Sequence, residues 1–174
     1  MKWFAQGLLD LGNKIHDLDG DDWRMGIVTT ATVPSLSTAA PHWGGTGTTN
    51  FATNQVGTGG TSYTGPVVLA GESWALVANV ATFGADQIVL AQDASGFTTG
   101  AYGIIYNNTD ANKRAIGFIE ISSAGTASLV SVSLTITFNN DATSGAALTL
   151  TQSQGAEMSG IWNRVVERGE LGDP

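Results

Sequence analysis

Residues 98–122, TTGAYGIIYNNTDANKRAIGFIEIS, read as two strands and one turn, and they commit the middle of the chain to β structure. Gly100 to Tyr106 is aromatic, β-branched and small, a composition that suits a pleated, half-buried surface. Asn107, Asn108, Thr109, Asp110, Ala111 and Asn112 form a polar cluster whose side chains can hydrogen-bond their own backbone, so the turn is placed there. Lys113 and Arg114 mark the exit to solvent. Because side chains alternate along a strand, Ile116, Phe118 and Glu120 are expected on one face and Ala115, Gly117, Ile119 and Ile121 on the other. The connection is long for a tight hairpin and predicts a hairpin with a surface loop.

The rest of the composition agrees with that start. Charged residues make up only 13% of the 174 residues, while Gly, Thr, Ser and Ala are abundant. That mixture favours many short strands with frequent turns over a helical bundle. The length suits one domain with a real core. Cysteine is absent, so neither a disulfide frame nor a thiolate metal site is available. A formal net charge of −8 argues against a protein that tracks nucleic-acid phosphates. No apolar run reaches membrane-spanning length, and the start, MKWFAQGLLDLGNKI, lacks the apolar core and cleavage site of a signal peptide.

Residues 1–16 are expected to form an N-terminal helix or arm. Phe4, Leu8, Leu11 and Ile15, with Leu9 beside them, fit one face of a helix. Gly7 and Gly12 weaken that helix, by about 1 kcal/mol each relative to Ala. HDLDGDD, at 16–22, suggests calcium. Asp17, Asp19 and Asp21 match the first, third and fifth positions of an EF-hand loop, but Asp22 stands where Gly belongs and Val28 where Glu belongs. The standard site therefore fails, leaving a solvated acidic turn or a looser cation site.

The body is expected to span 17–152. Trp23 to Thr30 is a strand. From Met25 to Gly71 there is no Asp, Glu, Lys or Arg, and the stretch predicts loops with three aromatics, Trp43, Phe51 and Tyr63. It suits either contact with another protein, since no charge need be desolvated, or a loop without a partner. His42 reads as a loop residue. The GTGG at 57–60 lacks the Lys of a phosphate-binding loop, so its glycines are expected to supply positive-φ turns. Pro66 places the 63–70 strand at an edge or bulge. Residues 73–83 alternate as one strand, and 87–91 form a short one. Residues 128–138, SLVSVSLTITF, alternate strictly, with Val130, Val132, Leu134, Ile136 and Phe138 on the apolar side and Leu129 among the hydroxyls. A turn at 139–141 and a strand at 146–151 close the body. The C-terminal tail, 153–174, places Met158, Ile161, Trp162 and Val165 on one helical face.

The raw material for catalysis is thin. There are two histidines, no G-x-S-x-G elbow and no H-E-x-x-H, and carboxylates such as Glu72 and Asp86 carry no special signal. A non-enzyme is expected.

The order of these pieces resembles a family of small structural proteins of tailed bacteriophages. In that family an acidic start leads into a strand. A polar loop, a GTGYT-like segment, a mid-chain FDADD-like element and a strand–turn–strand with an apolar run follow. The corresponding residues here are DLDGDDWRMGIV (17–28), VGTGGTSYTGPVVLA (56–70), TFGADQIVLA (82–91), TGAYGIIYNNTDANKRAIGFIEI (99–121) and SLTITFNNDA (133–142). The chain departs by extra Gly and Thr around the second segment and by the tail after Gln152. The resemblance implies a virion component on the head surface: a capsid decoration (cement) protein that binds the major capsid protein as a homotrimer, without cofactor, nucleic acid or membrane. The expected fold is all-β, a single sandwich or barrel of jelly-roll type with short helical terminal segments. Aromatic and apolar residues near the termini and in the uncharged loop are the candidate anchors: Trp3, Phe4, Leu8, Leu9, Trp43, Met158, Ile161, Trp162 and Val165. A tail or neck component, and a carbohydrate- or receptor-binding module using Trp43 and Tyr63, are the alternatives.

Overall fold

The computed structural model describes residues 1–77, 80–122, 125–138 and 148–151. The chain is β-rich. Its strands are β1 (Lys2–Trp3), β2 (Trp23–Val28), β3 (Pro41–His42), β4 (Thr49–Asn50), β5 (Val67–Val68), β6 (Ser73–Val77), β7 (Val80–Gly84), β8 (Ile88–Leu90), β9 (Tyr102–Asn107), β10 (Ala115–Glu120), β11 (Leu134–Ile136) and β12 (Leu148–Thr151). One α-helix, α1 (Ala5–Gly12), and a 3₁₀ turn at Phe51–Asn54 complete the described elements.

The 98–122 hairpin lies at the centre of the main sheet. Five antiparallel strands run in the order β1–β10–β9–β2–β5. Pro66 immediately precedes β5, an edge strand, where its missing N–H leaves no ladder bond unmade. On the edge of β2 that faces β5, the pairing ends at Met25, and no described strand lies beside Ile27. There the Tyr63 hydroxyl accepts the Ile27 N–H at 2.9 Å and the Val56 N–H donates to the Ile27 carbonyl at 3.0 Å. Smaller sheets pair β12–β7–β6 and β11–β8, and β3 pairs with β4 in parallel. Among the described strands no sheet closes into a barrel.

Both faces of the main sheet are covered, which is why β2 and β9 are apolar almost throughout. Trp23, Met25, Ile27, Ile105 and Ile116 belong to one core with Phe83, Ile88, Leu90, Phe97 and Leu129. Val28, Ile104, Tyr106, Ala115 and Phe118 belong to the other, with Phe4, Trp43 and Phe51. The second face is thus covered by the uncharged 25–71 stretch and by the chain's start. All three aromatics of that stretch are buried: Trp43, Phe51 and Tyr63 are 7%, 0% and 1% exposed. The stretch expected as either a contact surface or a loop without a partner packs its aromatics on this chain's own sheet.

Four expectations change. In β10 the pairing with β9 shifts between Ala115 and Gly117. This bulge reverses parity, so Ile116 joins Ile119 in the first core and Ala115 joins Phe118 in the second. The 73–83 run is two strands, β6 and β7, paired antiparallel from Ser73↔Gly84 to Val77↔Val80. The 128–138 run is a strand only at β11, which pairs with β8. Before it, a turn follows Leu129, whose N–H donates to the Phe97 carbonyl and whose carbonyl accepts from Asp93, both at 2.9 Å. Leu129 is therefore fully buried, while Val132, placed on the apolar face, is 60% exposed.

The fourth change concerns α1. The helix exists, but it is turned over. Its buried residues are Gly7 and Asp10, and Leu8 and Leu9 face outward. Gly7 is the reason: a Cβ there would lie 2.5 Å from the Ile116 carbonyl oxygen, so the helix backbone rests directly on β10. The glycine read as a weakness is the contact point. The strand at 146–151 is present as β12, beside β7. The expected turn at 139–141 and the C-terminal helical segment lie outside the described residues.

Candidate functional site

A dense polar cluster joins the end of α1, the acidic turn and the β9–β10 loop. Asn107 is its pivot, 1% exposed. Its Oδ1 accepts the N–H groups of Thr109 and Asp110 at 2.8 and 3.0 Å, which builds the predicted side-chain-supported turn. That fixes its Nδ2 as the donor toward His16 Nδ1 (3.1 Å) and Asp21 Oδ2 (2.5 Å). His16 Nδ1 is therefore the acceptor, the proton sits on Nε2, and buried Nε2 has no partner among the described residues. Burial pushes the His16 pKa down, against the nearby negative charges of Asp10, Asp110 and Asp21.

The remaining charges tie the same loop. Asp22 takes the Arg24 guanidinium at 2.8 Å and the Asn108 side-chain amide at 2.6 Å. The Arg24 hydrogen bond, with that of Asn108, holds the Asp22 carboxyl below its usual range. Lys113 and Arg114 do not simply exit to solvent. Lys113 Nζ donates to the Asn108 carbonyl and side-chain oxygens at 2.7 and 2.8 Å. Arg114 sits 3.7 Å from Asp110 and 4.0 Å from Asp10. Asp10 is buried; its Oδ1 accepts from Gln6 at 2.8 Å, and among the described residues its Oδ2 accepts no hydrogen bond. These groups lock one loop to another. Among the described residues, the side-chain partner of His16 is Asn107.

The suggestive motifs are likewise occupied. In the acidic turn, Asp17 Oδ1 accepts from Asp19 and Gly20 N–H, and Asp17 N–H donates to Asp21 at 2.8 Å. Among the described residues no three His, Asp or Glu side chains are placed to hold a metal. The backbone after GTGG does cradle an anion, and the anion is this chain's own Asp93. Its Oδ2 accepts from Thr61 N–H at 2.5 Å and Ser62 N–H at 2.9 Å, and Ser95 N–H reaches Oδ1 at 2.9 Å. These bonds hold the Asp93 carboxyl down at about 2. The glycines 57, 59 and 60 have no positive φ; Gly60 is small because the Asp93 carboxylate approaches it. His42 lies in β3, 3% exposed. Asp86 abuts the backbone of Gly71, which has φ +62.

The candidate anchors separate sharply. Phe4 and Trp43 are corrected to core residues: Phe4 is fully buried against Phe51 and Phe118, and Trp43 stacks on Tyr106 with ring centroids 5.5 Å apart. Trp3 is half-buried in β1, packed against the first core. Leu8 and Leu9 remain, 45% and 56% exposed. With Ala5 and Gly12, also exposed, they give α1 an outer face without a charge. Leu36, exposed too, is joined to this face because its carbonyl accepts the Ala5 N–H at 2.9 Å. Met158, Ile161, Trp162 and Val165 lie outside the described residues. Sequence spacing could identify the helix but not this face, because the buried side is chosen by a glycine.

Near the other end of α1 a cleft of about 570 Å³ opens between the helix and β6, lined by Leu11, Lys14, His16, Asp17, Leu18 and Trp74. No family model, curated protein or solved structure matches the chain.

Proposed function

We propose that this chain is a non-enzymatic structural protein of a tailed-bacteriophage virion, a decoration (cement) protein that binds the major capsid protein on the head surface as a homotrimer. The observation that carries the reading is the outer face of α1. Ala5, Leu8, Leu9 and Gly12, with Leu36 beside them, form an uncharged apolar strip on a rigid β support. A lattice-binding protein needs such a strip, since it can be covered without desolvating a charge. The order of segments quoted above supports the virion setting. The non-enzyme reading draws support from Asp17, Asp22, Asp93, Asp110 and His16, whose side chains are tied into turns and loops.

The same reading takes the β body as a sandwich. The first core draws Trp23, Met25, Ile27, Ile105 and Ile116 from the main sheet and Phe83, Ile88, Leu90 and Ile136 from the smaller ones. Side chains from two layers meeting in one core is the sandwich arrangement. The carbohydrate-binding alternative loses its basis, since Trp43 and Tyr63 are buried.

The test is the copy number of this protein in purified virions relative to the major coat protein. A comparable ratio is the expected result. A handful of copies per particle moves the protein to the tail or neck, and absence from virions overturns the reading. Leu8→Asp/Leu9→Asp is expected to fold and to lose binding to stripped capsids. Binding at wild-type level removes α1 from the interface.

A further inference from the structure

We propose that the cleft between the end of α1 and β6 is the seat of this chain's own C-terminal segment, residues 156–165. The cleft lining joins three apolar residues, Leu11, Leu18 and Trp74, to Lys14, His16 and Asp17. His16, in that lining, carries a buried donor, Nε2–H. Its tautomer is fixed by Asn107, and it has no partner among the described residues. A buried N–H without an acceptor is rare in a folded chain. A cleft that pairs apolar residues with one such donor calls for an apolar segment that also brings an acceptor.

The C-terminal segment has that chemistry and is within reach. Met158, Ile161, Trp162 and Val165 recur at helical spacing, and every residue brings a backbone carbonyl. The last described strand, β12, belongs to the same sheet as β6, two places away. Thr151 pairs with Val80, and Val80 pairs with Val77, while Trp74 lies three residues before Val77 on β6. Two strand spacings across and three residues along place Thr151 about 14 Å from Trp74. Residues 152–157 can span about 20 Å when extended. The segment seats its apolar residues on Leu11, Leu18 and Trp74, and one of its carbonyl oxygens accepts the His16 Nε2 proton.

The chain's lack of cysteine makes the test clean. Lys14→Cys, at the exposed rim of the cleft, is combined in the full chain with Met158→Cys, Ile161→Cys, Trp162→Cys or Val165→Cys, one at a time. Under mild oxidation at least one pair is expected to form a disulfide within one chain, running as an oxidised monomer on a denaturing gel. Disulfides only between chains would put a second copy's segment in the cleft and overturn the proposal; no disulfide in any pair would also overturn it. A second measurement uses the full chain without cysteines. Ile161→Asp/Trp162→Asp is expected to raise amide hydrogen exchange at least tenfold over residues 11–18 and 73–77, with exchange in β9 and β10 unchanged. Unaltered exchange in the cleft would show that the segment does not sit there.

Discussion

Replacing Gly26 with Ala directs a methyl group into the six-membered ring of Trp43. An ideal Cβ on Gly26 would meet Cη2, Cζ3 and Cζ2 of that ring more closely than any side-chain carbon tolerates. The ring has little room to retreat. It is 7% exposed, it stacks on Tyr106 at an interplanar angle of 7°, and its backbone N–H is bonded to the Lys113 carbonyl at 2.9 Å. Forcing a methyl into a packed core costs about 1–3 kcal/mol, and losing a large buried aromatic costs about 3–5. Gly26→Ala is expected between these limits, near 3 kcal/mol by the same reckoning, which lowers the melting temperature by roughly 6–12 °C in a chain of this size. The cause is tested by a double-mutant cycle. Trp43→Leu removes the ring, so in that background Gly26→Ala is expected to cost less than about 1 kcal/mol, a coupling near 2. Urea unfolding followed by far-ultraviolet circular dichroism reads all four proteins. Equal costs in the two backgrounds, within about 0.5 kcal/mol, would refute the reasoning and place the strain in the β2 backbone instead.

Three further outcomes use the same unfolding assay. Gly7→Ala is expected to destabilise by about 1–2 kcal/mol despite the better helix former, because its Cβ meets Ile116 backbone. Gly12→Ala, with nothing within 4 Å, is expected to gain about 0.4–1 kcal/mol; the opposite order would mean that α1 is not seated on β10. Leu129→Ala is expected to cost about 2–5 kcal/mol and Val132→Ala no more than about 0.5, and similar costs would restore the uninterrupted strand. His16 is held below its usual pKa by burial. Below the unfolded-state value of about 6.5 the unfolded chain therefore binds a proton that the folded chain refuses, and stability falls with pH until the folded-state pKa is passed. His16→Asn keeps an acceptor for Asn107 and removes that titration, so between pH 7.5 and 5 it is expected to lose less stability than wild type; equal losses would show that His16 is not buried neutral.

The parts of the fold that sequence made legible are those decided locally. The 98–122 hairpin, the turn at Asn107, the edge position after Pro66 and the strand at Trp23 each follow from side chains acting on their own backbone or on the next residue. What was misread was decided across the fold. Alternation assigns faces only while register holds, and one bulge between Ala115 and Gly117 exchanged the faces of Ala115 and Ile116. Alternation also cannot tell a strand from a turn that happens to alternate: Leu129 was placed among hydroxyls, yet its backbone bonds to Asp93 and Phe97 bury it. The uncharged 25–71 stretch looked like surface because it is poor in apolar residues, but a sheet with two apolar faces needs a second cover, and Trp43 and Phe51 anchor it while Tyr63 packs into the first core.

Glycine is the common element in the candidate site. At Gly7 and Gly26 the residue gives no hydrophobic signal, so a periodicity argument passes over it or counts it as a weakness. In space each marks a close approach, of a helix to a strand at Gly7 and of an indole to a strand at Gly26. The close approach at Gly7 rotates α1, and that rotation turns Leu8 and Leu9 outward. The exposed strip is therefore a consequence of where the helix touches β10, not of the leucines themselves. A helix rotated back to bury Leu8 would have to lift Gly7 from Ile116, and α1 would lose both its seat and the only uncharged face that the described part of the helix presents to solvent.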